Sequence, residues 1–212
     1  IPLPALNTLP LEKPMFAMDT ASGFQPHQED DYIDFYYERN IPQQLSKEGP
    51  KAAMADINGD GKNDLFIGGA AGQAGQLYMQ TTNGFQKFPS DALLKHRFME
   101  DVAAVFFDAD NDGDNDLLVG SGGNNAPAGS PELQSRLYTN DGRGNFTWQY
   151  GALPITIGNV SCLVVHDTDD DGDLDVFVGI RSLPQQYGSP ATSYLLANNG
   201  RGIFEDVTTK KA

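Results

Sequence analysis

The chain has 212 residues with a formal net charge of −15, and its 23 glycines and 13 prolines separate short apolar runs. This length allows one large domain or two small ones, and the composition favours an all-β protein over a helical one. The acidic balance without a basic stripe excludes nucleic acid as a partner, and the lack of an apolar run of about 18 residues excludes direct membrane insertion through a helix.

Residues 1–49 are predicted to be a lead-in to the rest of the chain. Four prolines among the first 14 residues favour extended backbone, and the loose alternation of residues 32–37 predicts one strand. Residues 14–24 weakly resemble residues 203–208, so both are predicted to form outer strands of sheets. The chain starts without the basic and apolar regions of a secretory leader, and we therefore expect a removed leader or an excised segment.

Three copies of an acidic motif, D-x-[DN]-x-D-G-x-x-D, follow the lead-in. Oxygen-bearing side chains occupy positions 1, 3, 5 and 9, and glycine occupies position 6. Calcium takes about six to eight oxygens, among them a backbone carbonyl at position 7 of such a loop, so the sequence predicts three calcium sites. Their ligands are Asp56, Asn58, Asp60, Lys62 and Asp64; Asp108, Asp110, Asp112, Asp114 and Asp116; and Asp167, Asp169, Asp171, Asp173 and Asp175.

The first loop is predicted to bind calcium most weakly. Asn58 replaces an aspartate there, and Lys62 stands where the other loops have Asp114 and Asp173. Calcium affinity in such loops depends on ligand charge and on rigidity, and a positive charge a few ångströms from the ion opposes binding.

Short apolar runs flank each loop and predict strands buried on both faces. They are residues 52–55, 103–107 and 162–165 before the loops, and residues 65–67, 117–119 and 176–178 after them. Each loop is therefore predicted to be the turn of a β-hairpin. Cys162, the only cysteine, lies in one of these runs and is predicted to be a buried core residue.

The same flanks exclude an EF-hand or a dockerin. An EF-hand needs a helix on each side and a bidentate glutamate at position 12. Position 12 is Ile67, Val119 or Val178 in the three loops.

Each loop belongs to a longer repeat, since the first aspartates lie 52 and 59 residues apart. A glycine, a third strand-like run and a glycine turn follow the second strand; Asn-Gly or Asp-Gly in that turn predicts type I′ geometry. Four antiparallel strands in about 50 to 60 residues are typical of a β-propeller blade. We predict three such repeats between residues 50 and 212, at about 50–100, 101–158 and 159–212.

Three blades do not close a propeller, because closed rings have about four to eight. The chain is therefore predicted to be an arc of a larger propeller, or to cover its open blades by self-association. The variable loops at residues 70–75, 121–135 and 181–192 are polar and irregular, and a ligand is expected to bind there rather than on the strands.

Hairpin-borne acidic loops followed by an apolar run and glycine resemble the FG-GAP/VCBS repeat family over residues 50–208. That family includes the propeller of integrin α-subunits and many bacterial secreted proteins. Residues 31–50 are similar to the lead-in of bacterial ASPIC/UnbV-type repeat proteins. The resemblance implies a calcium-bound, seven-bladed-like propeller in an extracellular, cell-surface or periplasmic protein, with the acidic side chains of the loops and Asn58 as metal ligands.

The sequence predicts no catalytic residue. His27, His96 and His166 are scattered, and Ser161 lacks the glycine elbow of a nucleophile. We therefore expect a non-catalytic calcium-binding interaction module that contacts protein or glycan, which leaves the activity of a longer protein open. The alternative is a carbohydrate-binding or polysaccharide-cleaving propeller domain, in which the aromatic side chains of three residues stack on sugars. These residues are Trp148, Tyr150 and Tyr187.

Overall fold

The computed structural model describes residues 23–211, and three four-stranded antiparallel sheets make up most of its regular structure. The first sheet contains β1 (Ala52–Ala55), β2 (Asp64–Ile67), β3 (Gln76–Thr81) and β4 (Gly84–Phe88). The second contains β5 (Glu100–Phe107), β6 (Asp116–Gly122), β7 (Arg136–Thr139) and β8 (Thr147–Trp148). The third contains β9 (Asn159–His166), β10 (Asp175–Ser182), β11 (Tyr194–Asn198) and β12 (Phe204–Asp206). The same range includes two short helices, α1 (Asp91–Lys95) and α2 (Thr208–Lys211), and 3₁₀ turns at Asp34–Tyr36 and Pro131–Leu133.

Each sheet is a meander in which neighbouring strands follow one another along the chain. The first strands of successive sheets lie side by side, since β1 contacts β5 and β5 contacts β9. Sheets arranged in this way are propeller-type blades. The prediction of an all-β protein with blades of four antiparallel strands is therefore confirmed, whereas the existence of further blades stays a prediction.

Apolar side chains from adjacent sheets pack together in two clusters, and β6 of the middle sheet contributes to both. Leu117 and Val119 pack toward the first sheet, whereas Leu118 packs toward the third. All three are at most 1% exposed. Because alternate side chains of a strand point to opposite faces, β6 is buried on both faces, as its continuous apolar run predicts.

Two glycines let adjacent sheets approach closely. A Cβ atom on Gly68 would lie 2.8 Å from Asp101 Cβ of β5, and a Cβ atom on Gly120 would lie 2.7 Å from Val160 Cγ1 of β9. Both distances are well below the roughly 3.5–4.0 Å at which carbon atoms pack. At these two positions the glycine after the apolar run is therefore a packing requirement of the next sheet.

In contrast to the prediction, strands of the two outer sheets are not buried on both faces: Met54 of β1 is 57% exposed, and β9 is buried on only one face. Leu163 and Val165 pack against the second sheet, whereas Val164 between them is 53% exposed. Cys162 shares the face of Val164 and is exposed, so the prediction of a buried core cysteine is wrong. The reason is that no sheet covers this face within residues 23–211, which an apolar run alone does not reveal.

Residues 32–37 do not form the predicted strand, because residues 34–36 form a 3₁₀ turn instead. The Asp34 carboxylate is fully buried and accepts hydrogen bonds from the backbone N–H groups of Leu45 and Ser46 at 3.3 and 3.4 Å. This anchor holds the turn against the following segment. It outweighs the weak alternation on which the strand prediction depends.

Two further predictions concern the outer strands and their turns. Residues 203–208 contain β12, the outer strand of the third sheet, as predicted. The other predicted outer strand, residues 14–24, lies outside the described residues as far as residue 22.

The predicted type I′ turns are wrong, since φ is positive at Gly84, Gly142 and Gly200 but not at the residue before each of them. The glycine alone supplies the left-handed conformation.

A buried polar network joins the first two sheets. Arg136 Nη2 donates to Asp101 Oδ1 at 2.5 Å, and Asp101 Oδ2 accepts the N–H of Gly69 at 2.9 Å. Beside this pair, Glu100 is 5% exposed, and its Oε2 has no hydrogen-bond partner. Burial, ahead of the nearby charge of Glu29, raises the pKa of Glu100 to about 8.

Glu100→Gln should stabilise the protein at alkaline pH and have little effect near pH 5. Because the folded-state pKa of about 8 lies above the ordinary value of 4.5, the stabilisation is fully present below the unfolded pKa and is lost as the pH rises through the folded pKa. The amide of the variant stays neutral at every pH. The melting temperature of the variant should therefore exceed the wild-type value by several degrees at about pH 9, because each unit by which the folded-state pKa is raised costs the wild type about 1.4 kcal/mol of stability there. Thermal melts across this pH range in saturating calcium measure the difference, and a constant offset between the two proteins would contradict it.

Candidate metal centre

The three acidic loops are the turns of β-hairpins, as predicted, and adjacent loops touch. They connect β1 to β2, β5 to β6 and β9 to β10. Asn115 Nδ2 of the second loop donates to the Asp56 carbonyl of the first at 2.9 Å, and Asn111 Nδ2 donates to Asp173 Oδ1 of the third at 2.7 Å. The loops therefore form one continuous acidic end of the three sheets.

The aspartate at position 9 anchors each loop to its sheet. Asp64, Asp116 and Asp175 are at most 1% exposed. One carboxylate oxygen accepts the N–H of loop position 2 at 2.9–3.2 Å, and the other accepts an N–H from the end of the third strand at 2.7–2.9 Å. The third-strand donors are Gln80, Asn140 and Asn198. This aspartate thus closes the hairpin through the backbone as well as lying among the predicted ligands.

In the second and third loops, three carboxylates converge on one point, with oxygens that all lie within 4.8 Å of one another. The two groups are Asp108, Asp110 and Asp116, and Asp167, Asp169 and Asp175. Asp108 Oδ1, Asp110 Oδ1 and Asp167 Oδ1 are buried without a hydrogen-bond partner. Because buried oxygens without partners are costly, these groups fit a hard cation, which all three carboxylates of a group can bind.

Without a balancing cation, Asp116 and Asp110 of the second loop resist ionisation. Burial raises the pKa of Asp116 to about 7, even though the N–H groups of Asn140 and Ala109 favour the ionised form. Burial, and then the charge of Asp112, raise the pKa of Asp110. A nearby positive charge favours an ionised carboxylate, so a divalent cation and these acids would stabilise each other.

The first loop holds its leading aspartate differently. Asp56 Oδ1 accepts the N–H groups of Asn58, Gly59 and Asp60 at 2.8–3.3 Å, whereas the matching oxygens of the other two loops have no partner. Burial acts to raise the pKa of Asp56, but the backbone donors outweigh it and the pKa lies below its ordinary value. Lys62 Nζ also pairs with Asp60 Oδ2 at 2.8 Å. The backbone N–H groups and Lys62 of the first loop therefore compensate more of its carboxylate charge than the second and third loops do within themselves.

Calcium should leave the first loop before the second and third, at a free calcium concentration roughly ten times higher. Lys62→Asp should narrow this gap, because it gives the first loop the acidic residue of the other two. The backbone N–H at position 6 donates to the leading aspartate in every loop, so NMR signals of Gly61, Gly113 and Gly172 report the three loops separately. If the Gly172 signal changes first as calcium is withdrawn, ligand charge does not set the order.

Position 3 of the first loop and positions 5 and 7 of all three loops complete the predicted ligand set. The position-5 carboxylates each accept the N–H of position 7 at 2.9–3.2 Å; they are Asp60, Asp112 and Asp171. Asn58 Oδ1 accepts the Asp60 N–H at 3.0 Å, and Asp114 Oδ1 is buried without a partner. These residues lie in the loops but outside the two convergent groups, so their role as ligands, like that of the position-7 carbonyls of Lys62 and Asp173, stays a prediction.

Sequence reasoning missed two asparagines that link the loops. Asn140 Nδ2 donates to the carbonyl of Ile57, position 2 of the first loop, at 2.8 Å. Asn198 Nδ2 donates to the carbonyl of Ala109, position 2 of the second loop, at the same distance. Both asparagines stand directly before the glycine turn in their repeats, and this shared place was the signal available in the sequence.

The histidines and Ser161 occupy separate surroundings. His27 Nε2 lies 2.8 Å from Glu29 Oε1, His96 Nδ1 lies 2.8 Å from the hydroxyl of Tyr138, and Ser161 Oγ donates to a backbone carbonyl at 3.1 Å. His166 is the exposed last residue of β9. The geometry thus accounts for the His27, His96 and Ser161 side chains by contacts within the fold.

Two of the three aromatic residues predicted to contact sugars lie together. The rings of Trp148 and Tyr150 have centroids 5.3 Å apart, at an angle of 73°. Tyr187 lies in another loop, where its N–H donates to Glu38 Oε1 at 2.5 Å.

Throughout residues 23–211, the helices are too short or too polar to cross a membrane.

Comparison with known proteins agrees with the repeat pattern. A sequence model described as an FG-GAP-like repeat matches residues 56–119 and 108–178. Together the two matches span more than half of the chain. Each match begins at one acidic loop and ends in the strand that follows the next acidic loop. A search of curated proteins gave no significant match.

Proposed function

Because the chain belongs to the FG-GAP-like repeat family, we propose that it is a calcium-binding β-propeller interaction module of a secreted or cell-surface protein. The module contacts a protein or a glycan through its variable loops and has no catalytic role of its own. Calcium serves to hold the hairpins closed.

The convergent carboxylates of the second and third loops carry this proposal. Their donors are all oxygens, which suit hard cations such as calcium and magnesium better than zinc, with its preference for nitrogen and sulfur. Magnesium demands a compact octahedron, whereas calcium accepts irregular sets of about six to eight oxygens. A single curved loop that offers carboxylates and a carbonyl matches calcium.

The direction of the strands separates the proposed metal end from the proposed contact end. Acidic loops follow the first strand of each sheet. The long loops connect the second strand to the third; they are residues 70–75, 121–135 and 181–192, and the last two ranges begin with the final two residues of the second strand. In an antiparallel meander, successive connections lie at opposite ends of the sheet. The cation therefore stabilises the scaffold from one end, and the ligand binds at the other.

The open face of the third sheet supports a partner for the module. Val164 and Phe177 are 53% and 41% exposed there. The two residues are direct cross-strand partners, so their side chains form one apolar patch. We propose that a further blade of a larger propeller, or a second copy of the chain, covers this apolar face.

Native mass spectrometry across a calcium titration tests the metal sites directly. The wild type should bind two ions tightly and a third more weakly. Asp169→Asn should remove one tight ion, because Asp169 belongs to the convergent group of the third loop. Asp170→Asn is the matched control: Asp170 is exposed with φ of 61°, and Asn111 at the same position of the second loop has φ of 62°. Equal loss of calcium in both variants would contradict coordination by specific ligands.

A further inference from the structure

A pocket of about 350 Å³ lies at the outer edge of the second sheet, away from the acidic loops. Trp148 and Tyr150 line one side, and Gln134, Ser135, Leu153 and Thr156 are among the residues that line the rest. Its volume is near the lower end of the roughly 300–1,000 Å³ typical of small-molecule sites. The pocket is therefore large enough for one or two rings of a small ligand.

The pocket carries no charge, although the chain as a whole has a net charge of −15. None of its lining residues is acidic or basic. Their polar groups are hydroxyls and amides, which donate and accept hydrogen bonds without favouring an ion. This lining selects an uncharged ligand.

The aromatic pair offers an exposed platform with one fixed and one accessible ring. Trp148 is 40% exposed and packs edge-on against His96, with ring centroids 4.6 Å apart, which holds it in place. Tyr150 is 86% exposed and meets Trp148 at an angle of 73°. Exposed aromatic rings that flank a pocket suit a ligand with an apolar face and a polar edge.

Two hydroxyls of the lining are without partners. Ser135 is 4% exposed and Thr156 is 3% exposed, yet neither side-chain oxygen makes a hydrogen bond in the described structure. Buried hydroxyls normally have a partner, and rotation of the side chain about χ1 can turn such a group toward a ligand. The lining thus pairs hydrogen-bonding capacity with an aromatic platform.

We infer that this pocket binds the ring of a neutral sugar, with the exposed ring of Tyr150 against the apolar face of the sugar, Trp148 at its edge, and the hydroxyls of Ser135 and Thr156 bonded to its hydroxyl groups. The inference rests on the proposed function, because it names the ligand class of the interaction module. It places the sugar on the second sheet and excludes Tyr187 from the site.

Fluorescence titration tests this site, because Trp148 is the only tryptophan of the chain. Short neutral oligosaccharides of glucose, galactose, mannose and N-acetylglucosamine are added to the full chain in saturating calcium, with uronic acid oligosaccharides as the charged comparison. At least one neutral sugar should shift the emission saturably, and charged sugars should bind about tenfold more weakly or not at all. No shift with any neutral sugar, tight binding of the charged ones, or saturation by a proline-rich peptide instead would overturn the inference.

Variants locate the site and separate it from the metal. Tyr150→Ala should weaken sugar binding about tenfold or more, whereas Tyr187→Ala, a matched change at another exposed tyrosine, should leave it unchanged. Thr156→Val keeps the shape of the side chain and removes only the hydroxyl, so the melting temperature should hold while sugar affinity falls. Equal effects of Tyr150→Ala and Tyr187→Ala would overturn the site. A calcium-dependent melting transition without sugar binding would refute the pocket and leave the metal proposal standing.

Discussion

Removal of calcium with a chelator should lower the melting temperature by on the order of 10 °C. In the second and third loops, oxygens of Asp108, Asp110 and Asp167 are buried without partners, and burial raises the pKa of Asp116 to about 7. A cation that binds only the folded state at about 100 times its Kd contributes about 2.7 kcal/mol per site. Two tight sites therefore contribute about 5 kcal/mol, and each kcal/mol shifts the melting temperature of a protein of this size by about 2–4 °C.

Differential scanning calorimetry in calcium, in chelator and in chelator followed by magnesium measures this effect. Magnesium should restore only a small part of the loss, because it demands a smaller octahedral cage. Sodium chloride at matched ionic strength is the control for general screening of the acidic loops. Melting curves that coincide in calcium and chelator would show that the carboxylates do not hold a structural cation.

Asp116→Ala should destabilise the protein even when no calcium is present. Asp116 is fully buried, and its oxygens accept the N–H groups of Ala109 and Asn140 at 2.9 and 2.8 Å. The substitution leaves both donors unpaired, and each unsatisfied buried group costs about 1–3 kcal/mol. We expect the melting temperature in chelator to fall by about 10 °C, with a further loss in calcium because the second site is incomplete.

Asp110→Asn is the comparison variant that separates the two roles. Asp110 belongs to the same convergent group, but its Oδ1 has no hydrogen-bond partner. Its substitution should lower stability in calcium and leave the melting temperature in chelator equal or slightly higher, since it relieves repulsion with Asp112. Thermal melts of both variants with and without calcium measure this. A loss from Asp116→Ala that disappears in chelator would mean that Asp116 acts only through the metal.

The strands and the acidic loops were predictable because strong local signals specify them. Position 12 of each loop is apolar, as at Ile67 and Val119, which identified strands rather than helices after the loop. The glycine after the apolar run was part of the repeat pattern, and at Gly68 and Gly120 it lies where the next sheet packs. Fold class and the position of the candidate site followed from these repeated patterns.

Other features depend on contacts that no local pattern records. The exposure of Cys162 depends on whether a sheet covers β9, not on the apolar run itself. The turn at residues 34–36 depends on a buried carboxylate bonded to Leu45 and Ser46. The weakness predicted for the first loop came from its charges, but the three backbone N–H groups that occupy Asp56 Oδ1 were visible only in three dimensions.

The asparagines before the glycine turns give the array of repeats a direction. Asn140 of the second repeat fixes the first acidic loop, and Asn198 of the third repeat fixes the second, in each case through the carbonyl at loop position 2. Nearest-neighbour terms of this kind govern how repeat proteins unfold. Through these two bonds, the second and third repeats each hold the acidic loop of the repeat before them. During synthesis, the first and second acidic loops would gain these contacts only after the following repeat has emerged and folded against them.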